Sequence, residues 1–307
     1  MKTPRDRGAL PGLPELGAVC DVLSLDLAGA RMLPSRSNAV FYLPAEAVVV
    51  RLSTATPTNE TRAASVVALT SWIADHGGPA LAPTPHPQPV REAGIVATLW
   101  PYLPSLNLPR ARDLAGAIRE LHLLDLEAGN DQPPLLPEHQ PLARLRESLN
   151  LDTARDQPVL PTDTREWLLA SAARLQHAYD TVSTPLGRGL IHADVQPDNL
   201  IQDRDGRWLL IDSDRASRGP RELDLVFAVP DHFHDSDTER TEFSVAYGYD
   251  ITTWTDWTLI RDLSELHSLA SYIRRAATSP AALAELNRRV DSLVNDERSV
   301  VWRSVSG

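Results

Sequence analysis

The stretch Gly189-Leu190-Ile191-His192-Ala193-Asp194-Val195-Gln196-Pro197-Asp198-Asn199-Leu200-Ile201-Gln202-Asp203-Arg204-Asp205-Gly206-Arg207-Trp208-Leu209-Leu210-Ile211-Asp212 decides how the rest of the chain is read. Two short apolar runs, about Asn199 to Gln202 and Arg207 to Ile211, flank Arg204-Asp205-Gly206. Asp-Gly between such runs signals a hairpin, because glycine admits the positive φ of a tight turn. Pairing around that turn sets Asn199 opposite about Leu210, with Asp212 just beyond, at the open end. With strands about 4.8 Å apart and about 3.3 Å of rise per residue, the Asn199 amide and the Asp212 carboxylate converge on one point. Both are oxygen ligands, and an Asn/Asp pair that leaves room for water and phosphate oxygens suits Mg²⁺. Asp194 stands upstream, in a loop kinked by Pro197, and is expected to reach the same mouth without binding the metal.

Phosphoryl transfer needs this arrangement. One carboxylate orients and deprotonates the attacking hydroxyl, an Asn and an Asp hold Mg²⁺ on the nucleotide phosphates, and a cation neutralises the rest. His192-Ala193-Asp194 followed by Asn199 matches the H-x-D-x-x-x-x-N loop shared by protein kinases and the aminoglycoside phosphotransferase/choline kinase family. Ile211-Asp212-Ser213-Asp214 occupies the place of the Asp-Phe-Gly metal motif, and its lack of Phe-Gly resembles the small-molecule phosphotransferases more than the protein kinases. Gly219-Pro220-Arg221-Glu222-Leu223-Asp224-Leu225 looks like the family's downstream segment, and Tyr247-Gly248-Tyr249-Asp250 is similar to bacterial members. The resemblance runs from about Ser35 to Trp302, with its specific motifs between Leu190 and Leu225. It implies ATP and Mg²⁺ as cofactors, Asp194 as catalytic base, Asn199 and Asp212 as metal ligands, and His192 and Asp224 as braces of the catalytic loop.

Upstream, Asp26 to Leu33, Asn38 to Leu43 and Ala47 to Leu52 read as antiparallel strands separated by turns. Asn59 to His76 has apolar residues at helical spacing and stops at Gly77-Gly78. Gly94 to Trp100 is a further strand. Ala111 to Leu126, Leu142 to Leu149, Thr164 to Asp180, Asp237 to Tyr247, Leu259 to Ala277 and Ser279 to Asn295 are helical. A strand-rich first third followed by a helical remainder indicates an α+β protein in two lobes. With the resemblance, this is a two-lobed protein-kinase-like fold: an N-terminal antiparallel sheet with one main helix, then a larger, mostly helical C-terminal lobe. The expected division is 1–100 for the nucleotide-binding lobe, 101–109 for the hinge and 110–307 for the helical lobe.

The resemblance places a lysine on the third strand, against the α and β phosphates. Lys2 is the only lysine in the chain, so Arg51 in Val48-Val49-Val50-Arg51-Leu52 is left for that role. Arginine can contact phosphate bidentately. The turn from Pro34 to Asn38 would cover the phosphates but has no glycine, leaving backbone N–H groups, Ser35, Ser37 and Asn38 to serve. Trp100 and Tyr102 lie on the segment that looks like the adenine-binding hinge. The helix after the third strand should carry a glutamate that pairs with the cation, but Ala63, Ala64, Ser65 and Val66 stand there, and Glu60 falls early.

The formal net charge of −11 makes nucleic acid a poor partner, since phosphate contacts need clustered Lys and Arg. From Glu222 to Glu265 there are eleven acids against Arg240 and Arg261, interleaved with aromatic residues. Acids with aromatic faces suit a cationic, amine-bearing or polyhydroxylated acceptor, and Asp231, Asp235, Asp250 and Glu265 are the candidate contacts. Cys20 is the only cysteine, which excludes an internal disulfide. No run of about 18 apolar residues exists, and a reducing cytoplasm is the expected setting. The leading reading is a kinase of a small hydroxylated molecule, such as an aminoglycoside-like antibiotic, amino sugar or amino alcohol. A catalytically inactive relative that binds a ligand is the second reading. A protein kinase ranks last, because no Ala-Pro-Glu segment follows Asp212.

Overall fold

The computed structural model describes residues 11–35, 38–104, 107–126, 133–233 and 236–305. The chain forms two units. The first comprises Met1–Pro109, Ala117–Leu136 and Gln196–Ala216; the second comprises Arg110–Gly116, Pro137–Val195 and Ser217–Gly307.

The first unit is built on a five-stranded sheet in the order β1-β2-β3-β5-β4, with every pairing antiparallel. Its strands are β1 (Arg31–Leu33), β2 (Ala39–Leu43), β3 (Val48–Thr54), β4 (Val90–Glu92) and β5 (Ile95–Pro101). Side chains alternate between the two faces of a strand. On β2 and β3 the residues Ala39, Phe41, Leu43, Val48, Val50 and Leu52 point one way. There they form a core with Leu16, Val19 and Cys20 of helix α1 (Leu13–Leu23). Arg51 therefore lies on the opposite face, paired in register with Val40 on β2 and Thr98 on β5. Helix α2 (Pro57–Asp75) starts at Thr56, whose hydroxyl accepts from the Asn59 N–H, with Pro57 in the first turn.

The signature hairpin also belongs to the first unit, as β7 (Leu200–Gln202) and β8 (Trp208–Leu210). Its register differs by one residue from the expectation. Leu200 pairs with Leu210, and the Ile211 N–H donates to the Asn199 carbonyl at 3.0 Å. The turn sets this register: Asp203 Oδ1 accepts from the Asp205 and Arg207 amides, while the Asp203 N–H donates to the Arg207 carbonyl. Gly206, at φ +86°, sits inside this closed loop.

The second unit buries Leu145, Leu149, Leu168, Leu175, Leu266, Leu269 and Leu286. These come from α4 (Ala143–Thr153), α5 (Thr162–Thr181), α7 (Trp257–Arg275) and α8 (Pro280–Val294). Helix α3 (Ala111–His122) contributes to both units, and α6 (Asp237–Tyr247) lies in the second. A short ladder pairs β6 (Arg188–Ile191) with β9 (Ser217–Pro220), strands that the sequence reading does not anticipate. Gly189 and Gly219 face each other in it. The Arg221 guanidinium lies so close over Gly189 that a Cβ there would come within 2.5 Å of Nη2. No described helix is long and apolar enough to cross a membrane.

Candidate active site

The sheet face that carries Arg51 bounds a cavity of about 420 Å³ that lies within the first unit. Small-molecule sites fall at roughly 300–1,000 Å³. Its walls are apolar: Val40 and Val49 from the sheet, Val66 from α2, Leu81 and Leu103 from loops, and Ile201 and Leu210 from the hairpin. Ser35, Asn38, Arg51, Asn199 and Asp212 supply polar groups to the same cavity. An apolar slot with a few polar anchors suits a flat heteroaromatic group joined to an anionic tail.

Arg51 is held on several sides. Its Nη1 donates to Asp212 Oδ1 and to Asp214 Oδ1, both at 3.1 Å, and its Nη2 donates to Asp214 Oδ2. Asn38 turns its amide oxygen toward the guanidinium and accepts from Nε at 2.8 Å. That orientation is required, because guanidinium carries only donors. Asp214 follows Asp212 on the single 3-10 turn Ser213–Arg215. Asp212 itself adopts a left-handed backbone, φ 61° and ψ 46°. Such strain in a residue other than glycine costs on the order of 1–3 kcal/mol and clusters at functional sites. The donors at this end, an amide oxygen from nearly buried Asn199 and the half-exposed carboxylate of Asp212, are hard oxygens. Their chemistry fits Mg²⁺ with its remaining positions filled by water and phosphate.

The His192–Asp194 loop lies in the second unit and leaves β6 at Ile191. Ala193 has φ 58°, again left-handed. Fully buried Asp224 stabilises this conformation: its carboxylate accepts the His192 N–H at 2.6 Å and the Ala193 N–H at 2.8 Å. Glu222, also fully buried, accepts the Leu186 N–H at 2.6 Å. The acids of the Gly-Pro-x-Glu-x-Asp segment are thus backbone clamps rather than solvated charges.

The family model for the phosphotransferase enzyme family (APH) matches residues 30–263. The chain belongs to that family. This phosphotransferase matches none of the curated proteins by sequence. Among solved structures it is similar to an amicoumacin kinase in complex with AMP-PNP, Ca²⁺ and Ami, with a TM-score of 0.65 at 13% identity, covering 91% of this chain and 92% of that one. It is also similar to a choline/ethanolamine kinase family protein from Mesorhizobium loti, with a TM-score of 0.59 at 15% identity, covering 91% and 94%. A third is the aminoglycoside phosphotransferase APH(3″)-Id from Streptomyces rimosus, with a TM-score of 0.59 at 18% identity, covering 82% and 97%. The fold of this phosphotransferase is the two-lobed, kinase-like α+β fold.

The remaining expected site residues divide by environment. Ser35 lines the cavity; Ser37 and Asp235 lie outside the described residues. Trp100 lines the cavity and donates through Nε1 to Thr98 Oγ1 at 3.0 Å. The Tyr102 N–H donates to the Ala47 carbonyl at 2.7 Å, so that amide is already engaged within the sheet. Asp231 accepts from the Phe233 N–H, and Asp250 caps a 3-10 turn by accepting from the Thr252 N–H and hydroxyl. Glu265 has no exposed surface and accepts from Arg298 at 2.6 Å. The expectation of a substrate-contacting Glu265 does not fit that burial. It lies inside the second unit, facing Arg298, which comes from beyond α8. The sequence reading misses Asp214 as a partner of Arg51. It looks for a carboxylate on α2, where Glu60 instead pairs with Arg91 at 3.2 Å. The available signal was the second aspartate of Ile211-Asp212-Ser213-Asp214.

Proposed function

We propose that this phosphotransferase moves the γ-phosphoryl group of ATP, with Mg²⁺, to a hydroxyl of a small cationic or polyhydroxylated molecule, of the kind exemplified by aminoglycoside-like antibiotics, amino sugars and amino alcohols. The observation that carries the nucleotide half of this reading is the first-unit cavity, where an apolar slot meets Arg51, Asn199 and Asp212. In the reading, adenine takes the apolar slot beside Trp100, residues 101–109 link the nucleotide-binding part to the helical remainder, and Arg51, Asn38 and Ser35 hold the phosphates. Asn199 and Asp212 hold the metal, which when bound neutralises charge building on the phosphate oxygens. Asp194 accepts the acceptor's hydroxyl proton as general base, a role worth typically about 10²–10⁴ in rate. His192 and Asp224 fix its loop. Support for Asp194 comes from the sequence pattern and from the two backbone bonds that hold the preceding residues.

The acceptor class rests on the acidic, aromatic segment Glu222 to Glu265, where Asp231 and Asp250 remain candidates although both cap local turns. A cytoplasmic setting and a role in antibiotic inactivation belong to the same proposal. A screen of the purified protein against antibiotics, amino sugars and amino alcohols, with coupled ADP detection, tests it. Asp194→Ala should abolish turnover, by at least about 10²-fold, while Mg-ATP binding survives. Near-normal turnover by that variant removes the mechanism. Binding of Mg-ATP without turnover on any acceptor would identify an inactive ligand-binding relative instead.

A further inference from the structure

We infer that Asp214 is the positioning carboxylate of Arg51, taking over from the hairpin the job that a glutamate on the helix after the third strand would otherwise do. The inference rests on the reading above that Arg51 holds the nucleotide phosphates. Three observations carry it. First, Asp214 meets Arg51 through both of its carboxylate oxygens, and the 3-10 turn that bears it packs against α2. A two-point contact between a planar fork and a carboxylate fixes the direction of the guanidinium as well as its position. Second, α2 presents no carboxylate to the same spot, where Asn59, Arg62, Ala63 and Val66 line it. Ala63 lines a small cavity of about 40 Å³ together with Arg51 and Asp214, and Glu60 is turned to Arg91. Third, Asp212 is a candidate metal ligand. When it serves the metal it cannot also serve as the sole anchor of Arg51, whereas Asp214 remains available. The consequence is that one turn, Ser213–Arg215 with Asp212 at its head, sets both the metal carboxylate and the phosphate cation. A rotation of α2 would not by itself disconnect the cation from its carboxylate.

The test uses the full chain and measures Mg-ATP affinity by calorimetric titration, ATP affinity in EDTA, and thermal unfolding. Asp214→Asn keeps the shape and removes the charge. It should weaken nucleotide binding about tenfold, with or without metal, while the melting temperature moves by only a few degrees, because the isosteric amide still offers an Oδ1 acceptor to the guanidinium. In an Arg51→Met background the same substitution should add less than about twofold, since coupled residues are non-additive. Ala63→Glu in the Asp214→Asn protein, which returns a carboxylate to the helix, should recover most of the lost affinity. Unchanged affinity in Asp214→Asn overturns the inference. So does a full tenfold penalty that persists when Arg51 is gone, which would mean that Asp214 acts through the metal. Failure of Ala63→Glu to restore binding in a protein that melts normally also counts against it. Wild-type protein that binds no nucleotide under any condition is a different result: it removes the proposed function itself.

Discussion

Arg51 in the first unit and Arg298 in the second each face several acidic side chains. Arg51 meets Asp212 and Asp214; Arg298 meets Glu265, Asp296 and, at 3.7 Å, Asp262. The chemistry is the same and the access to water is not. Asp212 is 42% exposed and lines a cavity, whereas Glu265 is 0% exposed and sits inside a helical core. A half-exposed carboxylate can trade an arginine for a metal or a phosphate partner, because water compensates during the exchange. A fully buried one cannot, since removing its partner leaves an uncompensated charge in low dielectric. Solvent access at the carboxylate therefore separates Asp212, able to exchange partners, from Glu265, which keeps its own, and substitutions at the two should fail in different ways.

The largest effect is expected at the buried end of that contrast, at Asp224. Its carboxylate accepts two backbone amides at 2.6 and 2.8 Å with no exposed surface. In Asp224→Asn one acceptor oxygen becomes an NH₂ group that faces an amide donor. Breaking hydrogen bonds to a buried charged group costs about 3 kcal/mol or more. The melting temperature should fall by roughly 5–10 °C, measured by circular dichroism, and turnover should fall with it because Ala193 loses its left-handed restraint. An unchanged melting temperature would mean that the loop holds its strained backbone without this clamp.

Arg51→Met should show the opposite profile. Asp212 and Asp214 keep 42% and 22% of their side-chain surface in water, so the acids left behind are partly rehydrated and the fold should be retained. Nucleotide affinity should drop roughly 10- to 100-fold, because a charge-assisted contact to phosphate contributes about 1.5–3 kcal/mol. Titration with Mg-ATP and a thermal melt on the same preparation separate the two quantities. A large loss of stability with intact affinity would erase the distinction between the two clusters.

The same contrast explains what could be read from the chain in advance. Helix α6 falls on Asp237–Tyr247, the bounds expected from the sequence, because local signals largely set such elements. Asn199 and Asp212 share a cavity because a hairpin brings residues close in sequence close in space. The β6–β9 ladder is different. It pairs residues about thirty positions apart, and the four-residue strand Arg188–Ile191 has no turn beside it to announce a partner. Long-range pairing of short strands leaves almost no local signal. Charge is the weakest guide. Asp214 and Glu265 look alike in sequence, yet one reaches 161 to 163 positions back with its neighbour Asp212 to hold Arg51, and the other disappears into the core. Only tertiary packing decides which acids are solvated, so the acidic segment overstated the number of possible ligand contacts.

The effect that depends most on pH belongs to Glu265. Burial pushes its carboxyl from an ordinary 4.5 up to about 7, against the opposing pull of Arg298 and Arg261 and with a further upward push from Asp262. His232 faces it at 3.9 Å through Nε2; its Nδ1 lies 2.8 Å from the Val300 carbonyl, which assigns the proton to that nitrogen. A carboxyl whose pKa is raised on folding binds more protons folded than unfolded between those two values. Stability must therefore fall as pH rises from about 4.5 to about 7, and level off above. Glu265→Gln keeps a neutral group of the same size and removes this dependence. Melting temperatures of the wild type and the variant, compared from pH 5 to pH 8, should show the wild type gaining relative to the variant toward pH 5 and losing ground toward pH 7.5. A His232→Gln protein run in parallel isolates the contribution of the imidazole. A wild-type-minus-variant difference that stays constant across that range would mean that Glu265 is held ionised by Arg298 throughout. The second cluster would then be a permanent ion pair rather than a neutral acid sealed from water.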